Sequence, residues 1–357
     1  MTNNILVQRP DHLTLGWAQG IVDQHSTDTR ALKVDIQAID IGTTTRVKLS
    51  IEHDGPETLP KRWFVKFPSM SWKARLITAL PRLLQTEVRF YREIAPNLPI
   101  SRPAVLAGQS GFGRGATLVL SDVTEFGATP GRPSDILTHL QAIKVIEQLA
   151  RFHACYWNTV QQDQNFNWLA APVRRLEDML GTLLAVPLMK RGLKLAGKHV
   201  PSHLHGPTMH YARKRKAAMQ FLSEKAQTLI HHDCHPGNLF WHQSIPGFLD
   251  WQMVRIGEGV SDVAYFLATA LDPEIRRSHE HRLLETYLQA LAEKGISGLD
   301  QKNLILRYRA HLVYAFEAMV VTLAVGGLMP EASNLELIRR TAKAVEDNDA
   351  FSVLPIY

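Results

Sequence analysis

His231, Asp233 and Asn238 stand in the order H-x-D-x-x-x-x-N within the run HHDCHPGN. Twelve residues after Asn238, an apolar segment containing Phe248 and Leu249 ends in Asp250. Residues of these types at this spacing suit the transfer of a phosphoryl group from a nucleotide. A carboxylate, Asp233, would orient an acceptor hydroxyl and take its proton. An amide oxygen, Asn238, and a second carboxylate, Asp250, would hold Mg²⁺, a hard cation that prefers oxygen ligands. Those two groups must come from neighbouring backbone segments. A strand over 239–241, a turn over 242–246 and a return strand over 247–249 would place them at one end of a hairpin. A lone HxD is common, whereas the whole pattern is specific. His231, His232, Cys234 and His235 could also be read as zinc ligands, but such close spacing leaves little freedom to close a tetrahedral site.

The elements that would position this chemistry need room. At 357 residues the chain can build two lobes with substantial cores, and 45% apolar content argues against disorder. The formal net charge of +6 is spread along the chain. It suits anionic ligands such as nucleotides without being a nucleic-acid signature, so no nucleic-acid partner is expected. Cys155 and Cys234 are the only cysteines, which gives no disulfide framework and points to a reducing, cytoplasmic setting. Residues 1–10 lack a basic stretch followed by an apolar run, so no signal peptide is expected. The most apolar late stretch, 318–328, reads as too short and glycine-ended to span a bilayer, and no membrane partner is expected. There is no internal repeat or low-complexity run.

Along the chain, 13–24 reads as a helix, 32–39 and 46–52 as strands about a turn at 40–45, and 63–67 as a β-rich run carrying Lys66. Residues 82–94 read as a helix carrying Glu87, and 117–120 as a buried strand running into Ser121 and Asp122. Gly127, Pro130 and Gly131 punctuate a loop, and the chain is mostly helical from Ser134 onward apart from the hairpin. A mixed small lobe therefore precedes a helical large lobe, with the joint near 121–127, and crevices between lobes are preferred ligand sites. A strand lysine is usually a snorkelling or edge residue. The order strand-turn-strand, strand with Lys66, helix with Glu87, strand and hinge, then catalytic loop favours a lysine that holds nucleotide phosphates and a glutamate that positions it. Gly42, Thr43 and Thr44 form a phosphate-loop candidate with one glycine, in which threonine hydroxyls would donate to phosphate; a plain hairpin turn is the competing reading.

These residues resemble the aminoglycoside phosphotransferases and the related choline-kinase-like and ecdysteroid-kinase-like small-molecule kinases. The resemblance is carried by Phe64-Val65-Lys66, Thr86-Glu87-Val88-Arg89, Leu118-Val119-Leu120-Ser121-Asp122, Leu149-Ala150-Arg151-Phe152-His153, the run from His231 to Leu239, Leu249-Asp250-Trp251 and Ser261-Asp262-Val263-Ala264-Tyr265. It covers nearly the whole chain. It implies an α+β, bilobal protein-kinase-like fold, with a small antiparallel-sheet N-lobe over 1–124 and a large, mainly helical C-lobe over 125–357 that carries the catalytic loop at 231–252. It further implies ATP and Mg²⁺ as cofactors, Asp233 as catalytic base, and Asn238 and Asp250 as magnesium ligands. Lys66 and Glu87 would serve the phosphates, the backbone around Ser121 and Val123 would face adenine, and Asp262 would brace the loop. The chain departs from the aminoglycoside enzymes after His231, where glycine is frequent and His232 stands here. No Ala-Pro-Glu activation segment follows Asp250, unlike the protein kinases.

The partner so implied is a small-molecule hydroxyl acceptor, held by helices within 158–225 and 300–357. A polycation would need carboxylates there. The stretch 158–225 instead carries Arg174, Arg175, Lys190, Arg191, Lys194, Lys198, Arg213, Lys214, Arg215 and Lys216 against Asp163, Glu177, Asp178 and Glu224. Most of these bases suit a solvated helix face, but the shortage of acids disfavours an aminoglycoside. Trp168, Leu184, Met189 and Met209 could line an apolar pocket, with Tyr308, Tyr314 and Glu317 adding polar contacts. The competing functions are an antibiotic-resistance aminoglycoside kinase, a hydroxyacyl-CoA kinase and a low-turnover nucleotide-binding regulator.

Overall fold

A computed structural model describes residues 4–72, 82–111, 113–160, 162, 164–170 and 172–356, without the side chains of 172–174. Asp163 and the side chain of Arg174 therefore lie outside the described residues. The chain forms two compact units. One comprises residues 1–130, 240–243 and 249–253; the other comprises 131–239, 244–248 and 254–357. The first unit thus runs past residue 124 and includes Asp250.

The first unit holds α1 (Leu15–Val22), β1 (Ala31–Ile41), β2 (Thr44–His53), β3 (Arg62–Pro68), α2 (Leu83–Arg89), β4 (Val105–Gly111), β5 (Gly115–Ser121) and the short β6 (Thr129–Pro130). β1 to β5 form one antiparallel sheet in the order β1-β2-β3-β5-β4. Side chains alternate across a strand. On β3, Trp63, Val65 and Phe67 enter a core shared with Val47, Leu49 and Ile51 of β2 and with Ala18, Ile21 and Val22 of α1. Lys66 falls on the opposite face, toward α2. The strand β4 was not foreseen; its run VLAGQSG has neither β-branched richness nor clean alternation. The β1–β2 turn is also tighter than 40–45, because Ile41 pairs with Thr45 and only Gly42 and Thr43 lie between the strands.

The second unit contains α3 (His139–Ala154), α4 (Pro172–Ala196), α5 (His205–Phe221) and β7 (Thr228–Ile230). The strands β8 (Leu239–His242) and β9 (Ile245–Phe248) follow in sequence. Gln243 and Ser244 link them with φ of 48° and 65°, a two-residue turn shorter than the 242–246 turn expected. Next come β10 (Arg255–Gly257), α6 (Gly259–Ala270), α7 (Pro273–Ala292), α8 (Gln301–Val325) and α9 (Glu331–Asp347). Thr138 and Gln141 cap α3 reciprocally, and Ala142, Val145, Ile146, Leu149 and His153 line its buried stripe. Every residue of α6 is buried, so this helix is the centre of the unit. At its first position a Cβ on Gly259 would collide with the Tyr287 hydroxyl and the His153 ring.

The helix α8 corrects the reading of 318–328. It begins at Gln301 and runs 25 residues, long and apolar enough by length and composition to cross a bilayer. Two-thirds of its most apolar window is buried within the fold, where it packs on α4, α6 and α9.

Arg340 of α9, 1% exposed, ties this unit together. Its guanidinium donates to the carbonyls of Ser134 (2.6 Å), Asp135 (2.8 Å) and Thr269 (2.8 Å), and to Glu336 (2.8 Å). Replacing Arg340 by Met should lower stability by about 3–5 kcal/mol, because buried carbonyls lose charged donors. Denaturant unfolding of the full chain measures this, and a loss below about 1 kcal/mol would mean that water satisfies those carbonyls.

Candidate active site

In the second unit, β7 delivers the chain into the loop that carries Asp233. The buried Asp262 carboxylate accepts the His231 amide (2.6 Å) on one oxygen and the His232 amide (2.7 Å) on the other. His153 reaches the same carboxylate at 3.2 Å and meets the Tyr287 hydroxyl at 2.9 Å. His232 has φ of 69°, the left-handed region that favours glycine, which accounts for glycine at this position in the resembled enzymes. Here the histidine ring stacks on Tyr314 (4.4 Å between centroids, 20° between planes). The remaining side chains of the zinc reading serve the loop itself. His231 Nδ1 accepts the Asp233 amide (3.3 Å) and His235 Nδ1 the Gly237 amide (3.0 Å). Burial, reinforced by the nearby Asp262 and Asp233 charges, pushes the Cys234 thiol well above its usual pKa.

Asp233 is bonded from two sides. Tyr265 donates its hydroxyl to Oδ1 (2.7 Å), and Asn238 Nδ2 donates to Oδ2 (3.0 Å) and to the Asp233 carbonyl (2.9 Å). With its nitrogen engaged in this way, Asn238 presents its carbonyl oxygen as the coordinating atom, which fits a magnesium ligand.

In the first unit, Lys66 Nζ bridges both oxygens of Glu87 (2.8 and 2.9 Å) and Asp250 Oδ1 (2.9 Å). Burial acts to lower the Lys66 pKa, but the two carboxylates outweigh it and raise it, so the ammonium stays charged. Burial likewise dominates at Glu87, pushing it up to about 7 against the pull of Lys66. The Trp251 amide also bonds Glu87. The Trp251 indole lies flat on Phe90 (4.2 Å, 10°), which fixes the backbone next to Asp250, itself at φ 58°. Asp250 is thus paired with a buried cation, and its carboxylate offers the oxygen donors that a hard cation prefers.

The phosphate-loop candidates Gly42, Thr43 and Thr44 form a tight hairpin end. Thr44 is buried and paired with Pro68, the Gly42 carbonyl accepts the Ser69 hydroxyl (2.8 Å), and the neighbouring Thr45 hydroxyl accepts the Met70 amide (2.9 Å). Thr43, half-buried at the tip, is the residue left in position to meet a ligand. At the hinge the Ser121 amide donates to the Ala104 carbonyl (2.9 Å), and its hydroxyl accepts the Ala104 amide (3.0 Å). Both groups are spent on the sheet edge. Val123 follows at the start of a short 3₁₀ turn capped by Asp122.

A cavity of about 1080 Å³ opens within the second unit. Phe166, Leu169, Met179, Leu183, Met219 and Leu222 give it apolar walls, and His232, Arg255 and Tyr314 bring it to the loop that carries Asp233. Its acids already have partners. Glu258 pairs with Arg307 (2.5 Å) and His311 (3.3 Å), and Asp178 lies 3.6 Å from Arg255. Glu317, expected to contact the acceptor, is not part of the lining; it is buried against Arg215 (2.5 Å) and accepts the Tyr211 hydroxyl. Trp168, Leu184, Met189 and Met209 are not part of its wall; Met189 is fully buried in helix packing, while Leu184 is turned to solvent. Tyr308 is likewise elsewhere, bonded to Glu280. Arg255 and Glu258 escaped the sequence reading, and Tyr265 entered it only within the run that carries the resemblance, with no role of its own. Tyr265 lies three residues after Asp262 on a helix, so the two share a face, and that spacing was the available signal.

The sequence profile described as the ecdysteroid kinase-like family matches residues 41–296. No curated protein matches the sequence. Among solved structures, choline kinase from Cryptosporidium parvum Iowa II is similar with a TM-score of 0.52 at 13% identity, over 95% of this chain and 94% of that one. The GDP complex of an aminoglycoside 2'-phosphotransferase-IIIa variant gives 0.52 at 14% identity, over 94% and 98%. An aminoglycoside phosphotransferase-like protein from Ralstonia eutropha JMP134 gives 0.50 at 13%, over 94% and 97%. At these identities the likeness shows the fold.

Lys66→Met should cost more stability at pH 8.5 than at pH 6. Glu87 titrates about 7, above its ordinary 4.5, so its contribution to stability is present below the ordinary value and lost as pH rises through the folded one. Without Lys66 this buried carboxyl can shed its charge only by taking a proton. Adding Glu87→Gln should flatten the dependence. Denaturant unfolding at the two pH values tests this; an equal loss at both would contradict the assignment.

Proposed function

We propose that this chain, which belongs to the ecdysteroid kinase-like family and is a small-molecule kinase, transfers the γ-phosphoryl group of ATP to a hydroxyl of an apolar, uncharged or anionic acceptor. The observation that carries this reading is the Asp233 carboxylate, held by Tyr265 and Asn238 in a loop pinned by Asp262. The acceptor oxygen attacks the γ-phosphorus, the bond to the β-phosphate oxygen breaks, and the hydroxyl proton passes to Asp233. Lys66, charged throughout the working pH range, turns from Asp250 toward the phosphates while Glu87 keeps its ammonium in place. Magnesium, held by the Asn238 carbonyl oxygen and Asp250, would neutralise phosphate charge. At the hinge we assign adenine recognition to the backbone at Val123, since the Ser121 amide is committed to Ala104.

The acceptor preference follows from the cavity. Its walls are apolar, and each of its carboxylates is matched by an arginine, leaving no surplus of negative charge to hold a polycation. This supports the acceptor reading over the aminoglycoside alternative.

Turnover of Mg-ATP should be assayed with a panel of hydrophobic alcohols, hydroxyacyl-CoA compounds and kanamycin-type aminoglycosides. Alcohols or hydroxyacyl compounds should outrun aminoglycosides. Aminoglycoside phosphorylation at kcat/KM of about 10⁴ M⁻¹s⁻¹ or above would instead make this a resistance kinase. Asp233→Asn should lower kcat by about 10²–10⁴-fold with nucleotide binding retained; near-normal turnover removes Asp233 from the role of base.

A further inference from the structure

We infer that Tyr265 is a positioning residue for the transfer: its hydroxyl fixes the Asp233 carboxylate in the orientation from which it takes the acceptor proton. The inference rests on the reading of Asp233 as base.

The geometry is specific. Asp262 and Tyr265 lie three residues apart on α6, on one face of a helix buried over its whole length. Asp262 holds the backbone of the catalytic loop, and Tyr265 holds its carboxylate. The one helix therefore sets both where the loop runs and how its reactive side chain is turned. Tyr265 binds Oδ1 at 2.7 Å and Asn238 binds Oδ2 at 3.0 Å, from opposite ends of the carboxylate. A carboxylate tied at one oxygen can still swing about its Cβ–Cγ bond; tied at both, it cannot. Each oxygen has two lone pairs, so one donor apiece leaves a pair to accept the incoming proton. His235, the other nearby donor, is 3.9 Å from Oδ1, beyond hydrogen-bond reach.

Tyr265 is only 2% exposed, and a phenylalanine would fill the same space. A buried hydroxyl costs free energy unless it finds an acceptor, and the acceptor here is the Asp233 carboxylate. Burial, with the Asp233 charge adding to it, holds the phenol well above its ordinary pKa, so it remains a donor at every working pH. The ring also lies 6.3 Å from Tyr314, which stacks on His232 and lines the cavity. The base is thereby referenced to the wall against which an acceptor would rest.

The test uses the full chain with Mg-ATP and the fastest acceptor from the panel above, or water where none is faster. Tyr265→Phe should lower kcat by about 10–100-fold, the scale of a misplaced catalytic group. KM for Mg-ATP and the melting temperature should stay close to wild type. In the Asp233→Asn background the same substitution should cost nothing more, because a residue that acts only through Asp233 has nothing left to position. A kcat within about twofold of wild type, a further loss in the Asp233→Asn background, or loss of folding or nucleotide binding together with turnover would each overturn the role. An Asp233→Asn variant with wild-type turnover would overturn the base reading beneath it. Absence of transfer from ATP to any acceptor or to water would overturn the kinase reading itself.

Discussion

Asp262 is the interaction on which the second unit's chemistry depends. Its carboxylate is fully buried, yet it is matched by the amides of His231 and His232 and by the His153 ring. Hydrogen bonds to an ionised group are shorter and about twice as strong as neutral ones. Remove this anion, and two buried amides in a loop with a left-handed residue lose their partners together. The loop's unusual path at His232 persists because the surrounding structure over-determines it. The all-buried helix α6, the glycine that lets His153 and Tyr287 approach its start, and the Arg340 links at its far end all serve to keep Asp262 in place.

The first unit solves a different problem, that of holding ionised groups ready in a dry place. Lys66, Glu87 and Asp250 form a charged cluster with one more acid than base, and Glu87 bears the cost as a raised pKa. Such a cluster is poorly suited to stabilising a fold, since burying charge costs more than apolar packing of the same volume. It is well suited to accepting another cation. The stacking of Trp251 on Phe90 and the Trp251 amide on Glu87 hold this imbalance rigid.

In the cavity charged side chains are abundant, and each acid of its lining lies beside an arginine. Three arginines at or near the cavity are held by acids. Arg215 goes to Glu317, Arg307 of α8 to Glu258, and Arg255 of β10 lies between Glu177 and Asp178. What remains facing the space is mostly aliphatic and aromatic. Glu258 and Arg307 lie outside 158–225, so the charges of that segment do not include this pair.

The linear pattern marked most of the elements, β4 excepted, and singled out candidate residues for the site. Strand alternation put Lys66 opposite Trp63, Val65 and Phe67, and the spacing of His231, Asp233 and Asn238 marked the loop. Motifs of this kind are legible because their chemistry needs particular residue types at short, fixed separations. Tertiary structure alone decided the partners. Nothing local to β4 announced a strand, since its place comes from pairing with β5. Nothing near Ser121 showed that Ala104 would claim its amide and hydroxyl, or that the tip at Gly42 and Thr43 would be drawn tight by the Ile41–Thr45 pair. Tyr265 looked like one more aromatic residue in a buried helix until the fold brought its hydroxyl to Asp233, 32 residues away. Hydrogen bonds and ion pairs between distant segments depend on angles and distances of tenths of an ångström, and a linear pattern of residue types carries no such information.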